Sequence, residues 1–182
     1  MGIALSATAG FRVFVPMLAA ALAGHFNVIN LPADMAWLSS WTSIICFATA
    51  SIAEIGAYYI PFIDNLLDTI ATPLSVAAGT LLAFSILPVS GQEPIVRWAL
   101  AFLAGGSTAG TIQLGTGLLR LLSSKTTIGT GNVVVATTEN AAALTGSALS
   151  LVVPVIVALL LLCLCTWIVI KLFKRIIPNR PA

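Results

Sequence analysis

VVVATTENAAALTGSALSLVVPVIVALLLLCLCTWIVIKL, residues 133–172, holds one acidic residue, Glu139, and one basic residue, Lys171. As a single straight helix it would measure about 60 Å at 1.5 Å per residue, twice the hydrocarbon thickness of a bilayer. A break near Ser150–Pro154 divides it into two spans, roughly 133–151 and 153–172. Two consecutive spans make this an integral membrane chain built of helices.

The same ruler marks four earlier spans. Residues 3–24 form the first, followed by a loop with His25, Asn27, Asn30, Pro32 and Asp34. Trp37 and Trp41 mark an interface, as membrane-belt tryptophans do, ahead of a second span at 42–60. A polar turn of helix, Asp64-Asn65-Leu66-Leu67-Asp68, leads into a third at 70–88. The loop Pro88 to Pro94 carries Gly91 and Glu93, and Trp98 opens a glycine-rich fourth span at 95–121. Residues 123–132, SSKTTIGTGN, form the last loop. The fold class is therefore an all-α integral membrane protein of about six transmembrane helices. Ala21-Leu22-Ala23 could pass for a signal-peptidase site, but no basic region precedes it and Arg12 interrupts the apolar run, so 3–24 is read as a mature span.

Composition fits one membrane domain over 1–182. The chain is 59% hydrophobic and 8% charged, with a mean hydropathy of +1.07, which leaves no room for a soluble catalytic domain. A net charge of +2 is too small to argue for nucleic acid. Cys46, Cys163 and Cys165 all sit in apolar runs and read as small packing hydrophobes. With six spans and the basic tail 171–182 in the cytoplasm, Lys171, Lys174, Arg175, Arg180, Arg120 and Lys125 all fall inside. The outer loops keep only Arg97, at a span boundary, and the positive-inside rule places both termini in the cytoplasm.

Charges inside such spans cost at least about 2.5–3.5 kcal/mol each, so those retained face a bundle interior or a wet cavity. Arg12, Glu54, Gln113 and Glu139 lie within the spans, and counting helix rise places all four about 9–14 Å from the cytoplasmic boundary. The simplest role is a salt bridge from Arg12 to one glutamate. The second glutamate then has no partner evident in the sequence, so it must be protonated, bind a cation or face water. Thr8, Thr108 and Thr111, with nearby glycines, offer hydroxyls and close helix approach beside this layer, although ordinary helix packing accounts for them equally well.

Asp64 and Asp68 are four apart and share a helix face. With Asn65 they offer oxygen ligands suited to a hard cation, or they simply cap a solvated turn. The GTGN loop lacks the spacing of a P-loop and reads as a turn, with a backbone anion nest as the alternative. His25 is the only histidine, with no ligand partner nearby in sequence. No metal-hydrolase, serine-nucleophile or dinucleotide motif occurs, so the chain is not expected to be an enzyme.

Thr8-Ala9-Gly10 recurs as Thr108-Ala109-Gly110. Glu54 and Glu139 occupy the second span of each half, and Pro73 and Pro154 lie near the start of the third. Halves at 1–90 and 91–175, of three spans each, would be inverted with respect to the membrane, as in many secondary transporters. The equal depth of the two glutamates runs against a perfect inversion.

The segments GFRVFVP (10–16), EIGAYYIPFIDNLLDTIATP (54–73), AGGSTAG (104–110) and TTIGTGNVVVATTE (126–139) resemble a family of small bacterial integral membrane proteins known as domain of unknown function 4126. The resemblance covers roughly 4–165, and the second segment is the most specific. Arg12 stands where much of that family has asparagine, and Asn132-Val133 where it often has asparagine-proline. The resemblance implies a multi-pass protein of the bacterial inner membrane and adds weight to Glu54, Asp64, Asp68 and Glu139. It implies no activity or substrate.

These residues lead to the expectation of a small inner-membrane transporter or channel, homo-oligomeric, with no cofactor beyond a coupling proton or cation. Glu54 and Glu139 would bind that ion, Arg12 would set their charge state, and Gln113 with the threonines would complete a pocket for a small ion or polar solute. The competing expectation is a non-transporting scaffold whose polar layer fixes helix packing.

Overall fold

Proline has no backbone N–H and its ring collides with the carbonyl four residues earlier, so a helix that contains one tends to restart with it in the first turn. Pro16 does this here. In the computed structural model, residues 3–24 are not one helix but two, α1 (Gly2–Thr8) and α2 (Phe14–His25), joined by a turn at 9–13. A 3₁₀ helix follows at Ala33–Ser39, then α3 (Trp41–Ala57), α4 (Pro61–Ile86), α5 (Pro94–Ala101), a π-helical turn at Phe102–Gly106, α6 (Ser107–Thr127), α7 (Asn132–Val152) and α8 (Pro154–Ile176). The structure describes residues 1–87, 92–127 and 131–176, with the side chains of 61, 62, 65 and 172–176 outside that description. Gly91, the Gly129–Thr130 part of the GTGN loop and Arg180, together with the side chains of Asn65, Lys174 and Arg175, therefore lie outside the description.

The two short helices form a hairpin. Gly2 packs on Ile86 and Leu87 at the C-terminal end of α4, and the Ser6 hydroxyl donates to the Gly79 carbonyl at 2.7 Å, so α1 runs antiparallel to α4. Gly10, at the turn, rests on Ala109 and Ile112 of α6. From there α2 turns back: Val13 and Phe14 face Ile70 and Leu74 of α4, whereas His25 hydrogen-bonds the Ser39 carbonyl at 3.0 Å and stacks edge-on against Trp41. Asn27, with φ 57°, ends α2 in the left-handed conformation that asparagine tolerates. Just beyond, Met35 joins Ala83 and Phe84 near the same end of α4, and Asp34 pairs with Arg97 at 3.5 Å. Both ends of the α1–α2 pair thus lie at one end of the bundle, and only the turn penetrates.

Three of the described helices are long and apolar enough to cross a membrane: Leu66–Ile86 within α4, the continuous Pro94–Thr127, and Pro154–Lys171 in α8. The 3₁₀ helix and α3, bent by 56°, make a fourth if taken as one span. The aspartate turn ahead of the third span belongs to α4 itself, which carries Pro73 inside it. The expected break after residue 150 is present, with α7 ending at Val152 and α8 starting at Pro154. Large apolar side chains such as Val155, Ile156, Leu159 and Leu160 are exposed along α8. Exposed Trp37, Trp41 and Trp98 ring one end of the bundle and Trp167 marks the other, the arrangement of interfacial belts.

The two ends of the chain lie apart. Met1 lies with Ile86, Pro154 and Ala158, while Lys171 lies with Leu119 and Leu122 at the opposite end. The α1–α2 hairpin returns the chain to the end of the bundle where Met1 lies. The first segments of the halves 1–90 and 91–175 differ in form, a hairpin in one and a continuous 34-residue helix in the other.

Candidate functional site

Restarting a helix at Phe14 exposes backbone N–H groups that the preceding turn cannot satisfy. Glu54, on α3, takes two of them. Its Oε1 accepts from the Val13 N–H at 2.8 Å and its Oε2 from the Phe14 N–H at 3.0 Å. The carboxylate therefore caps α2 from another helix, where the macrodipole contributes roughly half a positive charge. No salt bridge reaches Glu54 among the described residues. An apolar cavity of about 300 Å³ between α3 and α4, with Ala53, Ala57, Leu67 and Leu74 in its walls, opens beside it.

Arg12 occupies the residue before that capped pair and spans from the hairpin turn to α7. Its Nε donates to Asn140 Oδ1 at 2.6 Å, its Nη1 to Glu139 Oε2 at 2.8 Å and to the Phe11 carbonyl at 2.9 Å, and its Nη2 to the Ala136 carbonyl at 3.3 Å. The side chain is fully buried, which a guanidinium tolerates only when its donors are matched in this way.

Arg120, which the sequence places at the cytoplasmic end of the fourth span, is the second centre. It is 2% exposed on α6, a helix that continues past it to Thr127. Its Nη1 donates to Asp64 at 2.8 Å and to Asp68 at 2.9 Å, and its Nε to Glu139 Oε1 at 3.2 Å. Its Nη2 donates to Glu139 Oε2, the same oxygen that receives Arg12. The two guanidinium carbons lie 3.8 and 4.0 Å from the Tyr58 ring centroid, so one aromatic ring contacts both cations. Asp64 also accepts from Asn132 at 3.2 Å, and Asn140 donates to Tyr59 at 3.1 Å.

Glu54, Asp64, Asp68 and Glu139 thus gather around Arg12 and Arg120, four carboxylates against two cations, or 2 − 4 = −2 with all ionised. The expected layer is present but differently composed. Asp64 and Asp68 do share a face, and both pair with Arg120; no set of three metal-binding side chains occurs among the described residues. Gln113 is buried on α6 but is not hydrogen-bonded to the cluster among the described residues. The Thr108 and Thr111 hydroxyls donate to carbonyls four residues back, and Thr8 donates to Leu5 at 2.7 Å and accepts from Ser147 at 3.3 Å, so none of these bonds reaches the cluster. The missed residues are Arg120, Tyr58, Asn132 and Asn140. Arg120 had a signal: leucines flank it on both sides, and it lies two helical turns from Gln113.

A bundle with apolar outer faces, interfacial tryptophans and a buried charge cluster at a helix break defines a helical protein of membrane type. The chain belongs to the family described as Domain of unknown function (DUF4126), whose model matches residues 1–175. No curated protein and no solved structure matches it.

Proposed function

We propose that this chain is a small transporter or channel of the bacterial inner membrane, in which the charge cluster binds a proton or cation and passes it, or a small polar solute coupled to it, across the bilayer. The carrying observation is the imbalance of four carboxylates over two arginines in a buried site. Even with the α2 dipole set against Glu54, more than one negative charge is left over. At about 2.5–3.5 kcal/mol or more for each charge in hydrocarbon, a proton or cation is the natural complement. Asp68, with 24% of its side chain exposed, is the point of contact with solvent. Glu54, bonded to amides alone, is the group free to change partners. Its neutralisation would weaken the cap on α2 and loosen the hairpin turn, which links ion binding to movement of Arg12.

On this reading the α1–α2 pair is re-entrant, five helical passes cross the bilayer, and the basic tail is cytoplasmic with Met1 on the far side. Transport needs no covalent chemistry or organic cofactor, and the exposed apolar face of α8 suits association of copies. An inverted repeat would survive only as two units of unequal form.

Charge movement across proteoliposomes on a solid-supported membrane, driven by pH and Na⁺ jumps, tests the proposal. Wild type is expected to give a current that Glu54→Gln and Glu139→Gln abolish while remaining folded. Flux unchanged in both variants would remove the idea. The second reading, a scaffold, is favoured by one observation: Arg120 ties α4, α6 and α7 together as a structural bridge would. It expects the same variants to lose thermal stability or oligomeric state, with no flux to lose.

A further inference from the structure

A second concavity lies away from the charge cluster, between α6 and α8. It measures about 520 Å³ and runs from Phe11 at the hairpin turn, past Ile112, Leu119 and Leu164, to Trp167 and Lys171. Apart from Thr116 its walls are apolar up to the outer end, which is cationic. The Lys171 ammonium sits 4.5 Å from the centroid of the Trp167 ring and has no carboxylate partner among the described residues. An uncompensated ammonium beside an interfacial tryptophan, at the mouth of an apolar groove, is complementary to one kind of molecule: an amphiphile with an anionic head and a hydrocarbon chain. Lys125, in the last turn of α6 beyond Leu119 and Leu122, adds positive charge at the same end of the fold.

We infer that this groove is a binding site for an anionic phospholipid, with one acyl chain along α6 and α8 and the phosphate on Lys171. The chain's inner end meets Phe11, whose carbonyl accepts from Arg12 at 2.9 Å. The lipid therefore touches the hairpin turn directly and is placed to bias it, whatever the charge cluster transports.

Native mass spectrometry of the full chain, released from nanodiscs of equal phosphatidylglycerol and phosphatidylcholine, tests the site. Wild type is expected to retain phosphatidylglycerol selectively. Lys171→Gln should weaken retention about five-fold, the equivalent of one interfacial cation, and Lys171→Arg should restore it. Leu119→Trp, which fills the groove from an exposed position, should abolish it, with helical content by circular dichroism confirming that the variant folds. Equal retention of the two lipids, or retention indifferent to Lys171, would overturn the assignment. So would a wild-type dimer that Leu119→Trp dissociates without changing lipid retention, since the groove would then be a contact between copies.

Discussion

Arg120 holds Asp64, Asp68 and Glu139 at once, and Glu139 in turn holds Arg12. Replacing Arg120 by methionine leaves buried Asp64 and half-buried Asp68 without their cation and Glu139 with Arg12 alone, and breaking a buried pair from one side costs about 3–5 kcal/mol. Arg120→Met should therefore melt far below wild type in detergent, and adding Asp64→Asn should recover part of the loss. Arg120→Lys should rescue poorly, because an ammonium lacks the planar fork that reaches both helices. Glu54→Gln is the contrasting case. The amide oxygen still accepts a backbone N–H, so the melting transition should stay within about 1 kcal/mol of wild type even as ion-driven current disappears. Arg12, Glu54 and Glu139 were legible in the sequence because a charge in an apolar run is conspicuous whatever the fold. Arg120 was not, because Ser123, Ser124 and Lys125 follow it and resemble the start of a loop. Only the continuation of α6 to Thr127 turns that position into an interior one.

Helices here approach through glycine. A Cβ at Gly10 would lie 2.4 Å from the Ala109 carbonyl oxygen and 2.6 Å from Ile112 Cβ, and one at Gly79 would lie 2.7 Å from the Gly105 carbonyl oxygen. Neither backbone neighbour can swing aside, so Gly10→Ala and Gly79→Ala should each cost about 1–3 kcal/mol by overpacking. Gly117, with nothing within 4 Å, is the control: Gly117→Ala should be neutral or slightly stabilising through helix propensity. Denaturation of the three variants in mixed micelles compares them directly, and equal midpoints would mean that the hairpin does not pack as described. The recurrence of Thr-Ala-Gly at 8–10 and 108–110, read from the sequence as a sign of repetition, marks two surfaces that meet, since Gly10 rests on Ala109. Pro154 was recognised as a break because the run around it was too long for one span. Pro16 was overlooked because residues 3–24 have the length of a single crossing, and length says nothing about whether a segment crosses or turns back.

At the scale of the molecule, the hairpin changes which side each loop faces. A thiol reagent that cannot cross the bilayer should label Ile3→Cys and Asn27→Cys from one side and Lys125→Cys from the other, in a chain lacking Cys46, Cys163 and Cys165. Labelling of Ile3→Cys and Asn27→Cys from opposite sides would restore the continuous first span and the six-span topology. That the chain is built of apolar helices was readable from composition; their connection was not, because a break of five residues leaves the hydropathy of the stretch almost unaltered. The placement of Met1 and Lys171 at opposite ends of the bundle has a consequence for heredity as much as for folding. On the five-pass reading, a second copy of residues 1–171 joined head to tail would begin on the side where the first ends, and it would have to insert upside down. A single fusion would thus produce an antiparallel pair, an architecture that separate copies of the same chain, all threaded in one direction, could never assemble.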